Sequence, residues 1–173
     1  MKDNLLVVVD YQVDFVNGSL GFPLALELEE KIANLIAKKE NEGYEVVFTK
    51  DEHDDDYLDT EEGKNLPIPH CIKGSGGEEF FGKIKKIAST HKVFIKHTFG
   101  SLDLANYIAS KNYKNIELCG IDTSICVFSN AILSKASSPN SRVSLLSSYC
   151  MSGNETSSKI AYEALSRVQI FKI

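Results

Sequence analysis

Residues 5–10 read LLVVVD. Five aliphatic residues in a row, three of them β-branched, show no alternation of apolar and polar positions. That is the pattern of a strand buried on both faces, and such strands belong to parallel sheets covered by helices. Working outward, Leu28, Ile32, Leu35 and Ile36 recur at helical spacing, with Gly43 behind them as a C-terminal stop. A second strand is expected at YEVVFTK (44–50), then a long polar loop over 51–76, a length that in a compact domain usually carries function. Phe80, Phe81, Ile84 and Ile87 mark another helix, and KVFIKH (92–97) a third strand.

The alternation continues. Ser101 is placed to cap a helix carrying Leu104, Tyr107 and Ile108. NIELCG (115–120) reads as strand four, 124–136 as a helix, and SRVSLLSS (141–148) as strand five. Asn154 or Ser157 opens the last helix, and VQIFKI closes the chain as strand six. Strands alternating with helices predict an α/β fold: three layers, α/β/α, around a six-stranded parallel sheet, in one domain over 1–173.

Composition excludes several classes of function. A net charge of −5 and no basic patch with interleaved aromatics argue against a nucleic-acid partner. The apolar run near the start is five residues long, too short for a signal peptide or a membrane span. Cys71, Cys119, Cys126 and Cys150 are well separated and form no C-x-x-C pair, so reduced thiols in a cytoplasmic setting are expected.

In a parallel α/β sheet, ligands bind beyond the carboxyl ends of the strands. Strand one ends in Asp10, strand two runs into Asp51 and His53, strand three ends at Lys96, and strand four leads into GIDTSICV (120–127). Cys126 then stands in the first turn of a helix, where free N–H groups and the helix dipole lower a thiol pKa. Each residue alone has a plainer reading: a small core cysteine, a turn aspartate, a strand-edge lysine. Three of them on one rim form a unit, because the ammonium offsets the carboxylate and favours a thiolate, while the carboxylate can take the thiol proton.

The loop holds a second cluster. Asp51 and His53 flank one residue, so in an extended segment they point the same way. With His70 they suit zinc, iron or manganese and leave positions open for water or substrate. Two unrelated loop histidines are the competing reading. Asp54, Asp55 and Asp56 read as solvent-facing charge, and His91 and His97 as structural or solvent-facing.

Together LLVVVDYQVDF, TKDEH, PHCIKGSGG, FIKHTFGS and GIDTSICV resemble the isochorismatase-like cysteine hydrolases, and within them the nicotinamidase/pyrazinamidase branch. The resemblance covers nearly the whole chain in order. It implies a Rossmann-like α/β/α fold and a catalytic triad at Asp10, Lys96 and Cys126. It implies a divalent metal, zinc first, at Asp51, His53 and His70, with Asp59 or Glu62 as a further ligand. A cis peptide at Ile121–Asp122 is implied too, with the backbone N–H groups of Asp122 and Cys126 forming an oxyanion hole. The implied reaction is amide hydrolysis of a small molecule, nicotinamide to nicotinate and ammonia, by a soluble homo-oligomer (dimer or tetramer).

The chain departs from the pattern in places. It has no tryptophan, LPIP stands before the metal histidine, and an aspartate occupies position 122 where amidases often carry a small residue. Phe15 and Phe99 are left to stack on a flat substrate. The alternatives are another hydrolase of the superfamily, acting on a ureido or carbamoyl amide or on a vinyl ether, and a non-catalytic binding protein on the same fold.

Overall fold

A computed structural model describes residues 2–173. Along the chain the elements are β1 (Asn4–Val9), α1 (Val13–Val16), α2 (Leu28–Asn41), β2 (Glu45–Asp51), α3 (Glu61–Asn65), α4 (Gly82–Ala88) and β3 (Lys92–Lys96). They continue with α5 (Leu102–Ala109), β4 (Asn115–Ile121), α6 (Cys126–Ser137), β5 (Arg142–Met151), α7 (Glu155–Arg167) and β6 (Ile170–Lys172). Short 3₁₀ turns lie at Pro23–Glu27 and Tyr57–Asp59.

The six strands form one sheet in the order β3-β2-β1-β4-β5-β6, and every pairing is parallel. Right-handed crossovers lay α2 and α4 on one face, and α5, α6 and α7 on the other. Leu5 to Val9 are fully buried, as the unbroken aliphatic run requires of a central strand. All four cysteines are free and buried. No helix among the described residues is long and apolar enough to cross a membrane.

Strand order fixes where the site lies. From β1 the chain moves to β2, and from β4 it moves to β5, so the two connections diverge between adjacent strands. That divergence opens a crevice at the carboxyl ends of β1 and β4. Register then sets which residues meet there. Val9 pairs with Thr49 and with Gly120, and Asp51 pairs with Lys96. At the same rim Gly120 has φ 121°, and a Cβ on it would lie 2.0 Å from the Val9 carbonyl oxygen.

Elsewhere the structure refines the expected elements. The polar segment after β2 is not a continuous loop: it contains a 3₁₀ turn and α3, whose first turn Thr60 caps by accepting from Gly63 N (3.0 Å). Strand three ends at Lys96 rather than His97, and β5 runs on to Met151. Asn154 caps α7 through Ser157 N (3.1 Å), so the two residues expected to compete for that role are the two partners of one bond. The 3₁₀ turn at Pro23–Glu27 and α1 were not expected, being too short to show periodicity.

Two glycines separate steric from conformational cost. Gly120→Ala is expected to destabilise the protein by about 3 kcal/mol or more, because backbone must move. Gly43 has φ 84° but open space around it, so Gly43→Ala should cost only about 1–2 kcal/mol. Urea unfolding of both variants measures the difference.

Candidate active site

Asp10 follows β1 with φ 46°, a left-handed conformation that aspartate tolerates better than most residues. Its side chain is fully buried. Oδ1 accepts a hydrogen bond from Thr49 Oγ1 (2.7 Å). Lys96 Nζ stands 2.8 Å from Oδ2, off hydrogen-bonding angle, so Oδ2 is buried in an ion pair with no donor aimed at it. The same ammonium donates to Asp51 Oδ1 (2.9 Å) and lies 3.8 Å from Cys126 Sγ. Asp10, Lys96 and Cys126, 116 residues apart at the extremes of the set by sequence number, thus share one buried contact.

Charge in this cluster is uneven. Burial disfavours the Lys96 ammonium, but Asp10, then Cys126 and Asp51, outweigh it and hold the lysine protonated well above its usual range. Burial pushes the Asp10 carboxyl up, with Lys96 opposing. Cys126 differs from the sequence expectation of a lowered thiol pKa. Burial pushes it well above the ordinary thiol value, and the Asp10 and Asp51 carboxylates add to that against Lys96 alone. Burial thus favours the thiol, and Asp10, against the same ammonium, is the group placed to take its proton.

The second cluster adjoins the first through Asp51. Asp51 Oδ2 lies 3.0 Å from His53 Nε2 and 3.6 Å from His70 Nε2. Burial opposes ionisation of Asp51, yet the two imidazoles and the Lys96 charge hold its carboxyl well below the usual range. His70 Nδ1 faces the Ile68 carbonyl oxygen at 2.9 Å, which turns Nε2 toward the cluster. The Tyr57 ring stands edge-on to both imidazoles, with centroids 4.8 and 5.0 Å away.

Glu62 stands beside this set. Its Oε1 is 3.8 Å from His53 Nε2 and 3.7 Å from His70 Nε2, and its Oε2 is buried without a partner. Asp59, the other acid considered, is exposed at the end of the 3₁₀ turn. Asp51, His53 and His70 each bring one donor atom within 4.8 Å of the others, which fits a divalent metal, and Glu62 adjoins the two imidazoles. Donors in a zinc tetrahedron, at bonds of about 2.0–2.1 Å, lie about 3.3 Å apart. The orphaned Glu62 oxygen is what a missing cation would leave behind.

A cavity of about 390 Å³ lies over both clusters. Asp51, Glu62, His70 and Cys126 reach it, and Phe15, Leu20, Phe22, Leu66, Phe99 and Ile125 supply apolar wall. Phe15 and Phe99, expected to meet a flat substrate, both line it. Asp122 lies on the wall beside Cys126, and the Ile121–Asp122 peptide is cis. Among the described residues, the backbone N–H groups of Asp122 and Cys126 donate to no acceptor. Asp54, Asp55, Asp56 and His97 are exposed, and His91 is half-buried, away from both clusters.

Supporting residues escaped the sequence reading. Gln12 clamps Asp51 from both sides of its backbone: Nε2 donates to Asp51 O (2.7 Å), and Oε1 accepts from Asp51 N (2.8 Å). Asn130, one turn beyond the cysteine, donates to Cys126 O (2.8 Å) and Phe99 O (3.2 Å) and accepts from Ser101 N (3.0 Å). A polar residue four positions after Cys126 on an apolar helix is the signal that could have exposed it.

Known proteins share this arrangement's framework. The family model described as the isochorismatase domain matches residues 4–171. A Bacillus subtilis (strain 168) protein described as an uncharacterized isochorismatase family protein, PncA, is 31% identical, over 73% of this chain and 75% of its own length. The crystal structure of the nicotinamidase/pyrazinamidase PncA from Bacillus subtilis superposes with a TM-score of 0.84 at 25% identity, covering 99% of each chain. Pyrazinamidase of Pyrococcus horikoshii in complex with zinc gives 0.83 at 22%, covering 99% of this chain and 98% of that one. Yeast nicotinamidase bound to the inhibitor nicotinaldehyde gives 0.84 at 20%, over 98% and 99%. At those last two identities the likeness is one of fold.

The donor set is open to direct test. Glu62→Gln is expected to weaken zinc binding by about tenfold or more, and Asp59→Asn to leave it unchanged, in competition with a chromogenic chelator.

Proposed function

Because the chain belongs to the isochorismatase family, we propose that it is a cysteine-dependent amidohydrolase of the nicotinamidase kind. It converts nicotinamide and water to nicotinate and ammonia through a thioester on Cys126. One observation carries this reading: a buried acid and a buried thiol both held against one ammonium, beneath an apolar cavity that also reaches the histidine and carboxylate cluster.

The order of events follows from the charges. Asp10 removes the proton from Cys126 as sulfur bonds to the carboxamide carbon, and Lys96 stabilises both anions on the path. The developing oxyanion takes the unclaimed N–H groups of Asp122 and Cys126. Collapse of the tetrahedral species breaks the C–N bond, and Asp10 returns its proton to the departing ammonia. A water deprotonated by Asp10 then attacks the thioester, releasing the carboxylate and restoring the thiol. A raised Asp10 pKa suits this double duty, since a very weak base could not accept a thiol proton.

Phe15 and Phe99 give the flat ring its apolar contacts, and Asn130 ties the Phe99 loop to the turn bearing Cys126. Asp51, His53 and His70, with Glu62 beside them, would hold a divalent metal, which would supply a Lewis acid at the cavity. The same four donors favour this reading over a vinyl-ether hydrolase of the family, which needs neither metal nor thiol.

Cys126→Ala is expected to lower ammonia release from nicotinamide by at least about 10³-fold, with an unchanged circular dichroism melt. Rapid acid quench of the wild-type protein during turnover should show the acyl group on Cys126 by peptide mass spectrometry. Retained activity in the alanine variant removes the cysteine from the mechanism.

A further inference from the structure

One charge on the cavity wall has no part in that mechanism. Asp122 lies between β4 and α6 and is half-buried. Its Oδ1 accepts from the Ser124 backbone N–H (2.7 Å) and the Ser124 hydroxyl (2.8 Å). These bonds close the turn that leads into Cys126, as short acidic side chains commonly do. Among the described residues, Oδ2 has no hydrogen bond, and no cation pairs with the carboxylate.

The other acids at the cavity are compensated. Asp10 and Asp51 share the Lys96 ammonium. Asp51 and Glu62 belong to the four-donor set, where a divalent cation, together with Lys96, balances all three carboxylates. Among the described residues no lysine or arginine lines the cavity, and apart from Asp51, Glu62, His70, Cys126 and Asp122 its walls are apolar. With metal bound, Asp122 remains as an uncompensated negative charge on the wall of the cavity that Cys126 also lines. Low-dielectric walls and partial burial make that charge felt more strongly than one in open solvent.

We propose that Asp122 is a specificity-determining residue. It favours carboxamides that present a positive charge or an N–H donor next to the reacting carbon, and it rejects those bearing an anionic substituent there. Selection acts mainly by exclusion, since like charges brought together without water are penalised more than good contacts are rewarded. This inference rests on the reading of Cys126 as the nucleophile and of the four-donor set as a metal site.

Alkylation of Cys126 in the zinc-loaded protein tests it without requiring turnover. Rates with iodoacetamide, iodoacetate and 2-bromoethylamine, which are neutral, anionic and cationic, are each divided by the rate with glutathione. Cys126→Ala gives the background from the other thiols. Iodoacetate is expected to lag iodoacetamide by about fivefold or more, and 2-bromoethylamine to lead it. Asp122→Asn keeps an oxygen for Ser124 and loses the charge, so the anion-to-neutral ratio should rise about fivefold. Glu163→Gln removes an exposed charge on α7 and should leave that ratio alone.

An unchanged ratio in a folded Asp122→Asn protein overturns the proposal. Should that variant fail to fold, the wild-type rates at low and high salt decide. Discrimination against iodoacetate that weakens with salt supports the proposal, and no discrimination at low salt overturns it. Charge-selective alkylation without hydrolysis of any carboxamide strikes only the amidohydrolase reading. Hydrolysis with no charge selection strikes only the role given to Asp122.

Discussion

One buried ammonium holds the active centre together. Lys96 is almost fully excluded from solvent, and its Nζ lies within 3 Å of both Asp10 and Asp51. A lone charge in that position is prohibitively costly, and so is either carboxylate without it. Strand register makes the meeting unavoidable: Asp51 and Lys96 are cross-strand partners, and Asp10 follows the residue paired with Thr49. Through Asp51 the ammonium also joins the candidate catalytic cluster to the candidate metal donors. Neither cluster stands alone.

Two acids against one cation explain why the thiol does not behave as its place in the helix predicts. Lys96 favours a thiolate, yet burial and the two carboxylates push the thiol pKa up. A protonated nucleophile beside a carboxyl of raised pKa is a pair that exchanges a proton when needed.

Much of this was legible in the chain. The unbroken LLVVV run announced a central parallel strand, and parallel sheets bring strand ends to one rim, so Asp10, Lys96 and Cys126 could be placed together before any coordinate was known. Asp51, His53 and His70 were readable from spacing and residue type. Which of Asp59 and Glu62 stands nearer the histidines was not legible, because that depends on α3, a five-residue helix where Gly63 packs against the Tyr57 carbonyl. Gln12 and Asn130 were invisible for a related reason: amides acting on backbone groups far away in sequence leave no periodic trace. The helix terminus favours a lower Cys126 pKa, and the burial that pushes it up depends on packing that the sequence does not display.

The most direct test is a double-mutant cycle between Lys96→Met and Asp10→Asn, read by urea unfolding of the metal-free protein. If one ammonium compensates these buried acids, Lys96→Met costs much less once Asp10 is already neutral, giving a coupling of about 2 kcal/mol or more. Effects that add to within about 0.5 kcal/mol contradict the account, because the two groups would then be buried independently of one another.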